Sequence, residues 1–131
     1  MISKGHAKTK AEKDWLDVVV EFGQITNWLG NKYLDFTHED GMFQIDHIIG
    51  AKAKRKVNSI TQRVGELAIM AIPIKLHESG GSHIFNRTEK PGNYRKKYGH
   101  EKQVWLEMIR AMQNEGYEIP FSEEVIQAII S

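Results

Sequence analysis

The chain has 131 residues, of which 40% are apolar and 27% charged, a size and composition typical of one compact domain. It has no cysteine, which excludes disulfides, thiolate catalysis and cysteine-ligated zinc. Because no run of about 18 apolar residues occurs and the N-terminus lacks an apolar signal segment, we expect no membrane span and a cytoplasmic location.

The net charge of +1 conceals two basic blocks. Residues 51–63 contain no acid, and residues 87–102 contain two. Such blocks favour a polyanionic partner, with an ordinary solvated surface as the alternative. The cations of the two blocks are Lys52, Lys54, Arg55, Lys56 and Arg63, and Arg87, Lys90, Arg95, Lys96, Lys97 and Lys102.

The first predicted element is a helix over residues 10–22, preceded by a flexible basic arm at 1–8. Thr9 and Glu12 have the spacing of a capping box, and Gly23 offers a stop. The apolar side chains recur at helical spacing, with Trp15 and Phe22 as core anchors. Residues 24–42 contain the glycines and acidic residues that are typical of turns and short elements, so turns are predicted there.

Two strands are predicted next, over residues 43–49 and 64–74. The basic segment 50–58 between them is predicted to be a loop, or a loop that opens a helical turn. Pro73 should end the second strand, because proline lacks a ladder donor. Residues 78–82 read as flexible and 89–93 as a turn.

The C-terminal part predicts two helices. The first runs over residues 98–115 with Gly116 at its C′ position, and Ser122 caps a short last helix. The order of elements predicts a single α+β domain over residues 1–131. The packing faces are Trp105, Met108, Ile109 and Met112 on the longer helix, and Val125, Ile126, Ile129 and Ile130 on the last.

Asp46 and His47 are adjacent polar residues inside the first strand. Neighbouring side chains of a strand point to opposite faces, so the two should have different partners. One interpretation makes them a structural pair, in which Asp46 caps a turn and a backbone carbonyl satisfies His47. The other interpretation is chemical.

Hydrolysis of a phosphodiester needs a base that works near neutral pH and a cation that takes up charge from the phosphate. His47 has the intrinsic pKa range for the base. Asp46, His77 and His83 are the nearest metal-type ligands, and this donor set suits one divalent ion such as Mg, Mn, Zn or Ni. His77 and His83 would converge only if the chain folds back at Gly80 and Gly81.

Four segments resemble the His-Asn-His (ββα-metal) endonucleases, and more closely the phage recombination-enhancement, RecA-dependent nucleases. Residues 10–23 are similar to the opening helix of that group, and residues 45–50 (Ile-Asp-His-Ile-Ile-Gly) match the strand that ends in its general-base histidine. Residues 72–77 resemble its metal-binding segment, and residues 96–101 resemble the Tyr-Gly element that opens its closing helix.

The resemblance implies a small ββα-metal core with flanking helices. It implies His47 as the general base, oriented by the side chain of Asn58, and Asp46, His77 and His83 as ligands of one divalent ion. The chain departs from the group in lacking both a cysteine pair after the first helix and an adjacent histidine pair in the second motif. The residues expected to contact DNA are Lys52, Lys54, Arg55, Lys56, Arg87, Arg95, Lys96 and Lys97.

These features together predict a metal-dependent DNA endonuclease of phage origin, linked to recombination and acting in the bacterial cytoplasm. DNA is the expected partner, with a recombinase filament as a further one. A non-catalytic DNA-binding module on the same fold is one alternative function. A phage structural or interaction protein with incidental histidines is the other.

Overall fold

The computed structural model describes residues 7–25 and 43–131, so the turns predicted within 26–42 and most of the basic arm lie outside the described residues. The described elements are, in chain order, α1 (Lys10–Ile25), β1 (Phe43–His47), β2 (Lys54–Val57), β3 (Ile60–Arg63), β4 (Ile69–Pro73), α2 (Ile74–His77), α3 (Pro91–Tyr98), α4 (Glu101–Asn114) and α5 (Glu123–Ile130).

Helix α1 begins with the predicted capping box. The Thr9 backbone N–H donates to Glu12 Oε1 at 2.8 Å, and the Glu12 N–H donates to Thr9 Oγ1 at 3.1 Å. Trp15 and Phe22 are buried, as predicted for core anchors. The helix ends at Ile25, about one turn later than expected.

Strands β1 and β4 pair antiparallel, with Ile45 opposite Ala71 and Asp46 opposite Met70. All five residues of β4 are buried, so this strand is covered on both faces. It contacts both α1 and α4. The strand ends at Pro73 as expected, but it begins only at Ile69 because residues 64–68 form a turn.

The basic connection between these strands is a second antiparallel sheet, so the prediction of a loop or helical turn there was wrong. Strands β2 and β3 form a hairpin in which Val57 pairs with Ile60. Asn58 and Ser59 make its two-residue turn at φ values of 51° and 69°, as a type I′ turn requires. The sheet packs against α5 through β2.

The C-terminal helices differ from the prediction in one place. The predicted turn at 89–93 is instead the start of α3, with Pro91 in the first turn, where its missing N–H is harmless. Gly99, at φ 107°, separates α3 from α4, which is the helix predicted over 98–115 and begins only at Glu101. Ser122 Oγ accepts from the Val125 N–H at 3.3 Å, which confirms the predicted cap of α5.

Mixed helices and small antiparallel sheets confirm the α+β class within the described ranges. The finer expectation of a ββα-metal core stays a prediction. Across residues 7–25 and 43–131, no helix combines the length and apolar content needed to cross a bilayer.

Gly65 lets the turn before β4 pack closely against the backbone of Gly50 and Ala51. A Cβ at this position would lie 2.2 Å from Gly50 O and 2.4 Å from Ala51 O. We expect Gly65→Ala to lower the free energy of unfolding by about 1–3 kcal/mol or more, because neither carbonyl can move without shifting the loop. Denaturant titration measures this change.

Gly92→Ala is the matched control, because a Cβ there meets nothing within 4 Å and the residue lies in α3. It should leave stability unchanged or raise it by up to about 1 kcal/mol. Equal stability of the Gly65 variant and the parent would contradict the close approach.

Candidate active site

Asp46 and His47 face opposite sides of β1 and have separate partners, as their adjacency in a strand predicts. Asp46 contacts Arg87 and His77, whereas His47 contacts Glu66. Both interactions join side chains from distant parts of the sequence. The partners that the structural interpretation named, a turn and a backbone carbonyl, were therefore wrong.

His47 is bonded to a buried carboxylate. Its Nε2 lies 2.5 Å from Glu66 Oε1, and Lys8 Nζ lies 3.2 Å from the other oxygen of Glu66. The Glu66 side chain is 5% exposed and that of His47 is 29% exposed. A carboxylate can only accept, so Nε2 carries a proton and the lone pair of a neutral ring would lie on Nδ1.

The turn between β3 and β4 holds Glu66 in this position. The Leu67 N–H donates to Val64 O at 3.0 Å, and Trp15 Nε1 of α1 donates to Leu67 O at 2.9 Å. The Ile48 N–H donates to Ala68 O at 3.0 Å, which ties the turn to the residue after His47. Because three elements meet here, the carboxylate is presented rigidly to the imidazole.

Asp46 is 1% exposed, and Arg87 occupies both of its oxygens. Arg87 Nε donates to Oδ2 at 2.5 Å, while Nη2 donates to Oδ1. Such a bidentate pair is the strong form of a charge-assisted hydrogen bond. Burial alone would lower the pKa of Arg87, but the hydrogen bonds and charge of Asp46 raise it above its ordinary value.

His77 approaches the same carboxylate, with Nε2 3.6 Å from Asp46 Oδ1. Its Nδ1 lies 2.7 Å from Gln44 Oε1. The amide oxygen can only accept, so Nδ1 carries a proton. Gln44 thereby orients the ring in the way that carbonyl groups orient metal-binding histidines.

A second carboxylate extends the cluster. Arg87 Nη1 lies 3.9 Å from Glu101 Oε1, and Arg95 donates to both oxygens of Glu101, at 3.0 and 2.6 Å. Burial would raise the pKa of Glu101, but the hydrogen bonds from Arg95, assisted by the charge of Arg87, hold it at about 2. Two arginines and two carboxylates therefore balance in charge where β1, α3 and α4 meet.

Asn86 organises the loop that carries Arg87. Its buried Nδ2 donates to Lys75 O at 2.9 Å and to Glu78 O at 3.0 Å, while its Oδ1 accepts from the Glu89 N–H at 2.8 Å. The Arg87 N–H donates to Leu76 O at 2.6 Å. The loop is thereby held against α2, which sets Arg87 and His77 on the same carboxylate.

Asp46 and His77 carry donor atoms of the kind that bind divalent ions, but Arg87 already donates to both oxygens of Asp46. Two ligands about 2.0–2.2 Å from one ion lie roughly 3–3.5 Å apart, close to the 3.6 Å seen here. Among the residues that the structure describes, no three His, Asp or Glu side chains form a group able to hold an ion. His83 does not complete the pair, and its Nδ1 accepts from the Phe85 N–H at 3.1 Å.

Asn58, expected to orient His47, lies in the hairpin turn beside a depression formed with α5. The hydrogen bond to His47 comes from Glu66 instead.

The eight cations expected to contact DNA divide into two groups. Arg87 and Arg95 are engaged by carboxylates of the Asp46 cluster. Lys52 is exposed in the turn before β2, and Lys54 and Lys56 are exposed on β2, on either side of the half-buried Arg55. Lys96 and Lys97 are exposed on α3, with Lys97 Nζ 5.7 Å from the centre of the Phe85 ring.

Sequence reasoning missed Glu66 and Gln44 as partners of the two histidines. Glu66 is the one carboxylate within the apolar run 64–74. A carboxylate in such a run is expected to be buried, and a buried charge needs a partner. Gln44 precedes Asp46 by two residues in a strand, so the two share a face. Arg87 was expected on the DNA surface, and its pairing with Asp46 had no local signal.

The depressed pKa of Glu101 predicts acid sensitivity. A carboxyl whose pKa falls from 4.5 in the unfolded chain to about 2 in the fold stabilises the protein above pH 4.5. This contribution is lost as the pH falls through about 2. Denaturant titrations between these limits should show a smaller loss of stability for Glu101→Gln than for the parent.

Glu123→Gln is the matched control, because Arg110 holds the pKa of Glu123 at about 2 as well, on an exposed surface. It should also reduce acid sensitivity, but only Glu101→Gln should weaken the protein markedly at neutral pH. A Glu101 variant as stable as the parent at neutral pH would contradict the buried network.

No protein-family model, curated protein or solved structure matches this chain.

Proposed function

We propose that the protein is a metal-dependent DNA endonuclease that hydrolyses phosphodiester bonds. The observation that carries the proposal is the pairing of a partly exposed histidine, His47, with a buried carboxylate, Glu66, at 2.5 Å. A base that must accept a proton from water needs access to solvent, a fixed tautomer and a group that stabilises its charged form. His47 has all three.

In the proposed reaction, His47 Nδ1 takes a proton from the attacking water. Glu66 keeps the other ring nitrogen protonated and stabilises the imidazolium that forms, as the carboxylate of a catalytic triad does. Lys8 bonds to the same carboxylate and stabilises it in the charged form. His47 is the last residue of β1, so a phosphodiester lying across the end of the strand can approach it from the solvent side.

Asp46 and His77 would hold the divalent ion, with His83 retained as a third candidate ligand from the sequence resemblance. When bound, a divalent ion neutralises the charge that develops on the phosphate. Gln44 Oε1 would orient the His77 ring for this role through its contact with Nδ1.

The exposed lysines of β2 and α3 would bind the DNA backbone. Phosphate contacts position the duplex without reading its sequence. By the resemblance, the setting is a phage-derived reaction linked to recombination in the cytoplasm of a bacterial host, with a recombinase filament as a second partner.

A non-catalytic DNA-binding module is the second candidate function. The observation favouring it is that Arg87 neutralises Asp46 by a bidentate pair. If that pair never opens, Asp46 cannot bind an ion, and the basic surface alone would contact DNA. A chelator-sensitive nicking assay on supercoiled plasmid separates the two functions.

His47→Ala should reduce plasmid nicking by about 10²–10⁴-fold, because the base for water is removed. Glu66→Gln should cause a smaller loss, because the amide no longer stabilises the imidazolium. The rates are measured with Mn²⁺ on supercoiled plasmid, and circular dichroism checks the fold.

Glu12→Gln is the control for Glu66→Gln, since Glu12 is also a buried carboxylate, lies within α1 and pairs with Arg63 instead of a histidine. It should retain the parent rate. A His47→Ala protein that nicks as fast as the parent would contradict the assignment of His47 as the base for water.

Replacing Lys54, Arg55 and Lys56 together with alanine tests the DNA surface. Each lost phosphate contact should flatten the slope of log affinity against log salt by about 0.9, so the change should reach up to about three units. Affinity should fall about equally on unrelated duplex sequences. Fluorescence anisotropy at several salt concentrations measures the slope.

The control removes the same charge from residues elsewhere, by changing Lys10, Lys13 and Arg110 to alanine. Lys10 and Arg110 pair with acids on exposed surfaces of α1 and α4. The control should keep most of the parent slope. Identical slopes for the parent and the β2 variant would refute the phosphate contacts.

A further inference from the structure

We infer that a depression beside Phe85 binds one unstacked nucleobase of the DNA, while Lys96 and Lys97 hold the adjoining phosphates. The inference deepens the DNA binding of the proposed function and rests on it, but it requires neither a metal ion nor hydrolysis. It specifies the chemistry of the ligand, which is a flat aromatic ring joined to an anionic backbone.

The depression lies between the loop after α2 and helix α3, and its volume is about 290 Å³. This volume is near the lower end of the roughly 300–1,000 Å³ of small-molecule sites, so it suits a single base better than a longer segment. Its lining consists of two apolar side chains, one amide and two lysines, without an acid. These residues are Ile84, Phe85, Asn93, Lys96 and Lys97.

Phe85 supplies an aromatic surface that is anchored on the core. Its ring meets the Tyr98 ring edge-on, with the centroids 5.9 Å apart and an interplanar angle of 79°. Tyr98 in turn contacts the fully buried Tyr94, at a centroid distance of 5.1 Å. Lys97 Nζ lies over the Phe85 ring, 5.7 Å from its centre. Because a lysine side chain is flexible, it can rotate off the ring and let a base stack there, the contact that proteins use to bind unpaired bases.

Ile84 places a second apolar group at the surface of the depression, with 59% of the residue exposed. Hydrogen bonds fix the backbone around it. Asn93 Nδ2 donates to Ile84 O at 2.9 Å, and the Phe85 N–H donates to His83 Nδ1 at 3.1 Å. The Asn86 N–H donates to His83 O at 3.0 Å. An apolar surface that is already held in place loses little conformational freedom when a ligand covers it.

Lys96 and Lys97 supply positive charge that no carboxylate of the protein neutralises. Both are exposed in the last turn of α3, and neither forms an ion pair within residues 7–25 and 43–131. Arg95, by contrast, donates to both oxygens of Glu101. Two unpaired cations beside an aromatic ring match the charge and shape of a nucleotide, whose phosphate would release their counterions.

The test is a fluorescence anisotropy titration of the full chain with three DNAs, in the presence of a chelator so that no DNA is cleaved. The DNAs are an oligothymidylate of about 12 nucleotides, a fully paired duplex, and the same duplex with one extra, unpaired thymidine. Phe85→Leu keeps an apolar side chain against Tyr98 but removes the ring. It should bind the oligothymidylate about 5- to 100-fold more weakly than the parent, the usual loss when an aromatic partner of a base is removed. Its affinity for the fully paired duplex should equal that of the parent.

The duplex with the unpaired thymidine distinguishes two sources of the base. Weaker binding of this duplex by Phe85→Leu means that the depression accepts a base flipped out of a double helix. A loss confined to the oligothymidylate means that the base comes from a single strand. A variant that binds the oligothymidylate as tightly as the parent, or that loses affinity equally for all three DNAs, overturns the inference.

Ile84→Ala and Ile60→Ala form a matched pair of variants. Ile60 is 65% exposed, similar to Ile84, but it lies on β3 and does not line the depression. Ile84→Ala should weaken binding of the oligothymidylate, whereas Ile60→Ala should not. Equal losses in the two variants would reflect exposed apolar surface in general and would overturn the assignment of the base to this depression.

The phosphate contacts are tested with the same oligothymidylate at several salt concentrations. Replacing Lys96 and Lys97 together with glutamine should flatten the slope of log affinity against log salt by about 1.4, because each contact to a single strand contributes about 0.7. An unchanged slope overturns these contacts.

A measurement on the unchanged protein covers the case in which Phe85→Leu does not fold. In the complex with the oligothymidylate, the ring protons of Phe85 should show nuclear Overhauser contacts with thymine protons. Absence of such contacts at saturation overturns the inference.

None of these experiments depends on cleavage. Binding that depends on Phe85 without any plasmid nicking would refute the proposed endonuclease and leave the nucleobase site intact. Nicking by the parent, together with unchanged binding in Phe85→Leu, would do the reverse.

Discussion

The buried carboxylate of Asp46 is the constraint on which the described structure depends. A charged group removed from water must be paired, and a buried pair broken on one side costs about 3–5 kcal/mol. Asp46 meets this requirement through Arg87, whose loop is fastened to α2 by the buried Asn86. Through Glu101, the same network reaches the first residue of α4. One carboxylate on β1 thereby links the strand pair to the C-terminal helices.

Strand geometry separates this carboxylate from the adjacent histidine. The alternation of β1 sends Asp46 towards Arg87 and His47 towards Glu66, so each has its own buried partner. The separation gives the two groups different chemistry. His47 is partly exposed and bonded to Glu66, whereas Asp46 is enclosed and paired with Arg87.

Local sequence signals predicted those parts of the structure that short-range physics decides. The capping box of Thr9 and Glu12, the buried face of α4 and the opposite orientation of Asp46 and His47 all follow from spacing alone. The β2–β3 hairpin was missed because Lys54–Val57 has no apolar alternation, and because its turn uses Asn58 and Ser59 without a glycine. Proline and glycine at 91–92 indicated a turn, although proline also begins helices.

The partners of the site residues were beyond local reasoning. Arg87 lies 41 positions after Asp46 in the sequence, and tertiary packing alone brings the two together. Glu66 reaches His47 because β4 pairs with β1 and carries the turn before it to the end of that strand. Such choices depend on strand register and loop closure, which one sequence does not encode in any short window.

The proposed function depends on a divalent ion held by Asp46 and His77. A crystal of the protein soaked in Mn²⁺ tests this proposal most directly, because anomalous scattering locates the ion. The proposal predicts a peak in bonding contact with both Asp46 and His77. A saturated crystal with no peak there would contradict it.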